Sequence, residues 1–161
     1  MTSKKIARTR LGLGASVLAS LVFAASAGAQ VLGLFYAEEK KDNISEGLFQ
    51  QASGYKQADG AQGALNAMIG LEQGVESPAP PQVGDKTRVW SAVLTSTQSD
   101  GTQITVAVSE IDFQVGRFVG SIRLQSRPLA EAELTSGQVE NLQLAVKFAT
   151  GLAVNLKAVE K

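Results

Sequence analysis

The sequence predicts a mainly β protein. It reads as a small antiparallel sheet domain of about six strands, a sandwich or partly closed barrel, preceded by a short-helical, partly disordered region. Three observations carry this. Beyond residue 85, apolar and polar side chains alternate at period two. Glycine-bearing turn signals, Ser99-Asp100-Gly101, Gly116-Arg117 and Ala149-Thr150-Gly151, separate those runs at hairpin spacing. Before residue 76 the chain is rich in Gly, Ala and Gln and sustains no such alternation.

The amino end predicts export. Lys4, Lys5, Arg8 and Arg10 precede an apolar, small-residue run from Leu11 to Ala29, and no acidic residue occurs before Glu38. Cations, apolar core and a small-x-small ending are the order of a secretory signal. Cleavage is expected after Ala29, with Ala27 as the neighbouring site. The competing reading is an uncleaved anchor, but Gly12, Gly14, Ser16, Ser20, Ser26 and Gly28 dilute the run. The expected location is the periplasm or cell surface.

Composition excludes several chemistries. The chain has no Cys and no His. Disulfide staples, amino-terminal lipid attachment at Cys, zinc sites of thiolate or imidazole, and His-dependent nucleophile systems are therefore absent. No cofactor or metal is expected. Of fifteen basic and fifteen acidic residues, the signal holds four basic ones, leaving a net charge of −4 on the remainder. That balance does not suit nucleic acid or anionic lipid, which need clustered cations.

The remainder divides into residues 30–75, a flexible, short-helical acidic region; 76–85, a proline-rich linker; and 86–161, the β domain. In the first part, Ile44, Leu48, Ala52 and Tyr55 recur at near-helical spacing, with Ser45 as a cap. Ala61, Ala64, Leu65, Met68 and Ile69 do the same, which places a firmer helix at 61–73. Val31 to Tyr36 is apolar and reads as a strand, a buried anchor or a partner-binding peptide. Pro78, Pro80 and Pro81 cannot continue a helix and favour extended chain.

In the β domain, Trp90, Ala92 and Leu94 alternate with polar residues, as do Ile104, Val106 and Val108. A three-residue loop with Gly101 in the left-handed position pairs Leu94 with Val106 and Ala92 with Val108; a two-residue turn would pair Val93 with Val108 instead. The apolar parity then shifts to Ile111, Phe113 and Val115, which predicts a bulge, bend or turn at Ser109-Glu110. A Gly116-Arg117 turn sets Val115 opposite Phe118, Phe113 opposite Gly120 and Ile111 opposite Ile122. Residues 128–141 join the halves, with Pro128 to Leu134 as an edge strand or a helical turn. At the end, Leu142, Leu144, Val146 and Phe148, then Leu152, Val154 and Leu156, predict a second hairpin. A helix started by Thr135 and Gln138 is the competing reading.

A single-chain outer-membrane barrel needs more strands and aromatic girdles than this chain supplies. The weak partner-binding candidates are Arg117, Arg123 and Arg127, which with Ser121 and Gln125 share the non-core parity and form a basic strip; the plain alternative is a solvated face whose charges discourage aggregation. Asp112 is a candidate general acid if buried, and otherwise an exposed strand position. Trp90 is a pocket wall or a core residue. Asp100-Gly101 lacks the serial oxygen ligands of a calcium loop, and Gly60 to Gly63 lacks the context of a phosphate loop.

The function expected from this sequence is that of an exported, non-catalytic cell-envelope protein. It would act by binding a protein partner or by self-association, in secretion, surface-structure assembly or adhesion. The alternative is an extracytoplasmic carrier of a small apolar ligand; a carboxylate-based hydrolase comes last.

Overall fold

The computed structural model describes residues 30–41 and 44–160. It shows an antiparallel sheet, open at both edges among these residues, with a helix on each face. The strands are β1 (Gln30–Lys41), β2 (Ile44–Gly54), β3 (Val75–Glu76), β4 (Lys86–Thr97), β5 (Gln103–Val115) and β6 (Phe118–Gln125). The helices are α1 (Ala58–Ala67) and α2 (Leu134–Val159). The order across the sheet is β1-β2-β6-β5-β4-β3. Five strands are long, and β3 is a two-residue strip on the outer edge of β4. The expected export signal, residues 1–29, lies outside the described residues.

The central hairpins follow the sequence reading. Leu94 pairs with Val106 and Ala92 with Val108, around a loop in which Gly101 has φ 84°. Val115 pairs with Phe118, Phe113 with Gly120 and Ile111 with Ile122, with Gly116 at φ 52°. Both turns need a left-handed residue that only glycine supplies without strain.

Four expectations are corrected. The first is closure: the sheet is neither a sandwich nor a barrel, because helices cover its faces. The second is the bulge at Ser109-Glu110. β5 pairs with β4 without interruption, Ser91 to Ser109 and Trp90 to Glu110. The apolar parity shifts because both faces of one straight strand are buried, so apolar residues serve one face and then the other.

The third is the helix expected over Ile44 to Tyr55, which is strand β2, paired with β1 and β6. Residues four apart share a face in a strand as they do in a helix. Leu48 packs on the front core and Ala52 is buried within it.

The fourth is the second terminal hairpin, which is the long helix α2. Its buried stripe is Gly137, Asn141, Ala145, Ala149, Leu152, Ala153 and Leu156, mostly small residues at spacings of three and four. The large apolar residues that suggested strands, Leu144, Phe148 and Val154, stay 44%, 37% and 63% exposed. A pattern count weights large side chains, whereas a helix lying close on a sheet wants small ones. Gly137 meets the connection that precedes the helix instead: a β-carbon there would stand 2.6 Å from Leu129 Cδ1. By length and composition, the segment Glu131–Val159 is also long and apolar enough to cross a membrane.

The front core joins the small stripe of α2 to Val89, Ile111, Phe113, Phe118, Ile122 and Leu124. Phe113 lies across Gly120, where a β-carbon would come within 2.4 Å of the ring. Val83, from the proline-rich segment, belongs to the same core. Strands from both sides of that segment enter one sheet. The back face carries α1, whose Ala61 and Leu65 pack on Val119.

Candidate functional site

Two places on the sheet concentrate polar groups in an unusual way: the back face beneath α1, and the outer edge of β4. Paired residues of an antiparallel sheet share a face. Arg88 stands opposite Asp112, Trp90 opposite Glu110, and Asp112 opposite Ser121. This polar layer therefore spans three strands on the side away from α2.

Arg88 ties the layer to α1. Its guanidinium donates to the carbonyls of Leu65, Asn66 and Met68 at 3.1, 3.3 and 3.0 Å, which closes the C-terminal end of α1. It also donates to both Glu76 oxygens at 2.8 and 3.2 Å and lies 4.5 Å from the Trp90 ring centre. Its hydrogen bonds hold the Glu76 carboxyl below the usual range, and Glu76 in turn raises the guanidinium. At the other end of α1, Gln114 donates to the carbonyls of Ala58 and Gly116 at 3.1 and 2.7 Å. The chain after α1 then seals Trp90, with Gly70 so close that a β-carbon would lie 2.2 Å from the indole.

Between these two anchors lies Asp112. The structure corrects the expectation of an exposed position: Asp112 is fully buried, and neither carboxylate oxygen has a hydrogen-bond partner. Burial pushes its carboxyl up to about 7; Glu110 adds to the rise, while Ser121, Arg123 and Arg88 oppose it. Glu110, also buried, is engaged by Arg123, whose Nε donates to it at 2.6 Å. Among the described residues, no group of three or more His, Cys, Asp or Glu side chains is placed to hold a metal ion.

The three arginines singled out by sequence are not brought together. Arg117 sits in the β5–β6 turn, its guanidinium 4.8 Å from the Phe118 ring centre and donating to the Tyr55 carbonyl at 3.3 Å. Arg123 is on the back face with Glu110. Arg127 lies beyond the end of β6 and pairs with Glu133 at 3.0 Å. Each has an intramolecular partner of its own. Trp90 is a packed residue, 5% exposed.

Sequence reasoning missed Arg88, Glu110 and Asn141. Asn141 is buried in α2 and donates to Ser109 Oγ, the Leu124 carbonyl and the Ala107 carbonyl at 3.1, 3.1 and 3.4 Å. It thus secures α2 where the β5–β6 ladder ends. An Asn among small apolar residues at spacing four was the available signal.

The edge of β4 is the second place. Backbone groups of alternate residues point to opposite sides of a strand. The Val89 carbonyl accepts from Ser77 N–H, and Ser91 pairs with Val75, so the odd-numbered residues of β4 point outward. β3 covers only Trp90 and Ser91. The outward groups of Val93, Thr95 and Thr97 consequently have no strand beside them among the described residues. From Val89 to Ser99 the chain carries no charge and no proline. Edges are ordinarily blunted by charge, proline or a bulge.

Comparison with known proteins places no relative beside this chain: no family model, no curated protein and no solved structure matches it.

Proposed function

We propose that this chain is an exported, non-catalytic protein of the cell envelope that acts by binding another protein. The contact is made by adding an extended strand to the open half of β4. Accessory work in secretion, surface-structure assembly or adhesion is the corresponding class of role. The observation that carries the reading is the uncharged edge at Val93, Thr95 and Thr97, whose backbone groups face outward without a partner strand. Main-chain hydrogen bonds give such a contact its affinity, and alternate side chains give it selectivity. The basic amino end supports export, and the missing Cys and His support a binding role over the commoner catalytic systems.

The test is capture of partners from the native cell envelope by the full chain, tagged at its carboxyl end, against its Thr95→Pro variant. Thr95 N–H points out of the sheet, so proline there removes no intramolecular ladder bond and is of the kind edge strands tolerate. The expected result is a partner held by the parent chain and lost by the variant. Equal capture by both would refute the edge as the binding surface.

A further inference from the structure

We infer that a second copy of this chain occupies the open edge, with β4 pairing antiparallel to itself about a two-fold axis at Thr95. The inference rests on the reading that this edge accepts a strand, and it names the occupant.

The first argument is register. Outward-pointing groups belong to Val93, Thr95 and Thr97, while β3 already occupies Ser91. An antiparallel visitor with an identical sequence fills that stretch fully in one register, with Thr95 facing its own copy and Val93 facing Thr97. Moving the axis to Leu94 would run the visitor into β3. Moving it to Ser96 would leave Val93 facing Ser99, beyond the end of the strand. A self-complementary patch of this kind is the requirement for a closed two-fold interface.

The second argument is charge. Arg88 and Asp100 bound the segment, and nothing between them is ionised. Two copies therefore meet without like-charge repulsion, which is costly between directly opposed strand residues. The opposite edge of the sheet differs: β1 ends in Glu38-Glu39-Lys40-Lys41, a charged run of the sort that guards an edge.

The third argument is side-chain fit. Within the chain, Thr95 already makes a cross-strand threonine contact, its hydroxyl 2.9 Å from that of Thr105. Pairing about Thr95 sets a second threonine on its other side, which extends the row across the interface.

The experiment is sedimentation of the full chain from micromolar to near-millimolar concentration, joined to a charge swap at the axis. The parent chain is expected to dimerise, and Thr95→Lys and Thr95→Glu each to weaken the dimer about tenfold or more. Mixing the two variants is expected to restore a dimer, because opposite charges then face each other at the axis. A spin label at Ser99→Cys, the sole thiol in that variant, lies just past the strand end and is expected within roughly 27 Å of its copy between backbone positions, the upper bound at about 3.3 Å per residue. A parent chain that stays monomeric throughout overturns the inference. So does a dimer indifferent to both substitutions, or one with the labels far apart. If the chain is monomeric yet loses envelope capture with Thr95→Pro, the occupant is a different protein and the proposed function stands. If the dimer forms and capture is indifferent to Thr95→Pro, the proposed function fails and the self-pairing stands.

Discussion

Arg88 stands directly across the ladder from Asp112, yet spends its hydrogen bonds on α1 carbonyls and Glu76 and leaves the carboxylate without a partner. A cation and an anion in register on neighbouring strands ordinarily pair. Here the guanidinium is turned toward the helix end, so α1 is secured at the expense of a buried acid. Both side chains shape how firmly the back face closes.

The first prediction concerns Asp112 and pH. A carboxyl raised from its ordinary value near 3.8 to about 7 holds its proton more tightly in the folded state than in the unfolded one. Its favourable contribution is complete below about pH 4, declines as pH rises through 7, and is gone above that. At about 1.4 kcal/mol per tenfold change in proton affinity, the loss reaches at most roughly 4 kcal/mol. Asp112→Asn removes the titration. Urea unfolding at pH 8 should show the variant more stable than the parent by about 1–3 kcal/mol, with the difference shrinking or reversing at pH 4. Parallel stability curves across that range would contradict the burial of Asp112.

The second concerns Arg88. Arg88→Met keeps an unbranched apolar stem and removes the guanidinium, with its donors to Leu65, Asn66, Met68 and Glu76 and its place over the Trp90 ring. The expected loss is about 1–3 kcal/mol, the cost of losing the charged donor at the end of α1 and its pairing with Glu76. Amide exchange should quicken over 58–68 and stay unchanged in α2, because the substitution frees one helix and not the sheet.

The third tests the seating of α2. Ala145→Leu and Ala149→Leu place large groups where the parent side chains are fully buried. Each should cost about 1–3 kcal/mol through overpacking. Val154→Thr, on an exposed site, should change stability by less than about 0.5 kcal/mol. Thermal unfolding of the three variants separates this helix from a terminal hairpin, in which Val154 would be a core residue.

The fourth concerns Asn141. Asn141→Leu removes a buried donor shared by Ser109, Leu124 and Ala107, of which the Ala107 carbonyl keeps the Ser126 N–H. A loss of about 2–3 kcal/mol is expected, read by denaturant midpoint at unchanged slope. Asn141→Asp, with no amide to donate, should fare no better.

Legibility from sequence followed how local each feature is. The Gly116 hairpin was readable to its pairs and the Gly101 hairpin to one of two registers, of which the structure adopts the three-residue loop with Gly101 left-handed. The path of residues 44–54 was ambiguous, since Leu48 and Ala52 share a face in either conformation. The helix α2 was hidden because its contact side is built from Ala and Gly, while Leu144 and Phe148 advertise a different period. The polar layer was beyond reach. Whether Asp112 is covered depends on α1, which is distant in sequence, and no local pattern says which face a helix will close. The unguarded edge was half visible: the uncharged run from Val89 to Ser99 can be read directly, but that β4 borders the sheet there cannot.

Residue-resolved amide exchange along β4, in the full chain at low concentration and again with captured cell-envelope partner, tests the central claim most directly. Leu94 and Ser96, which face β5, should be protected throughout. Val93, Thr95 and Thr97 should exchange freely in the dilute chain and slow at least tenfold once a strand is added. Equal protection of odd and even residues in the dilute chain, or no slowing when partner is bound, would contradict it.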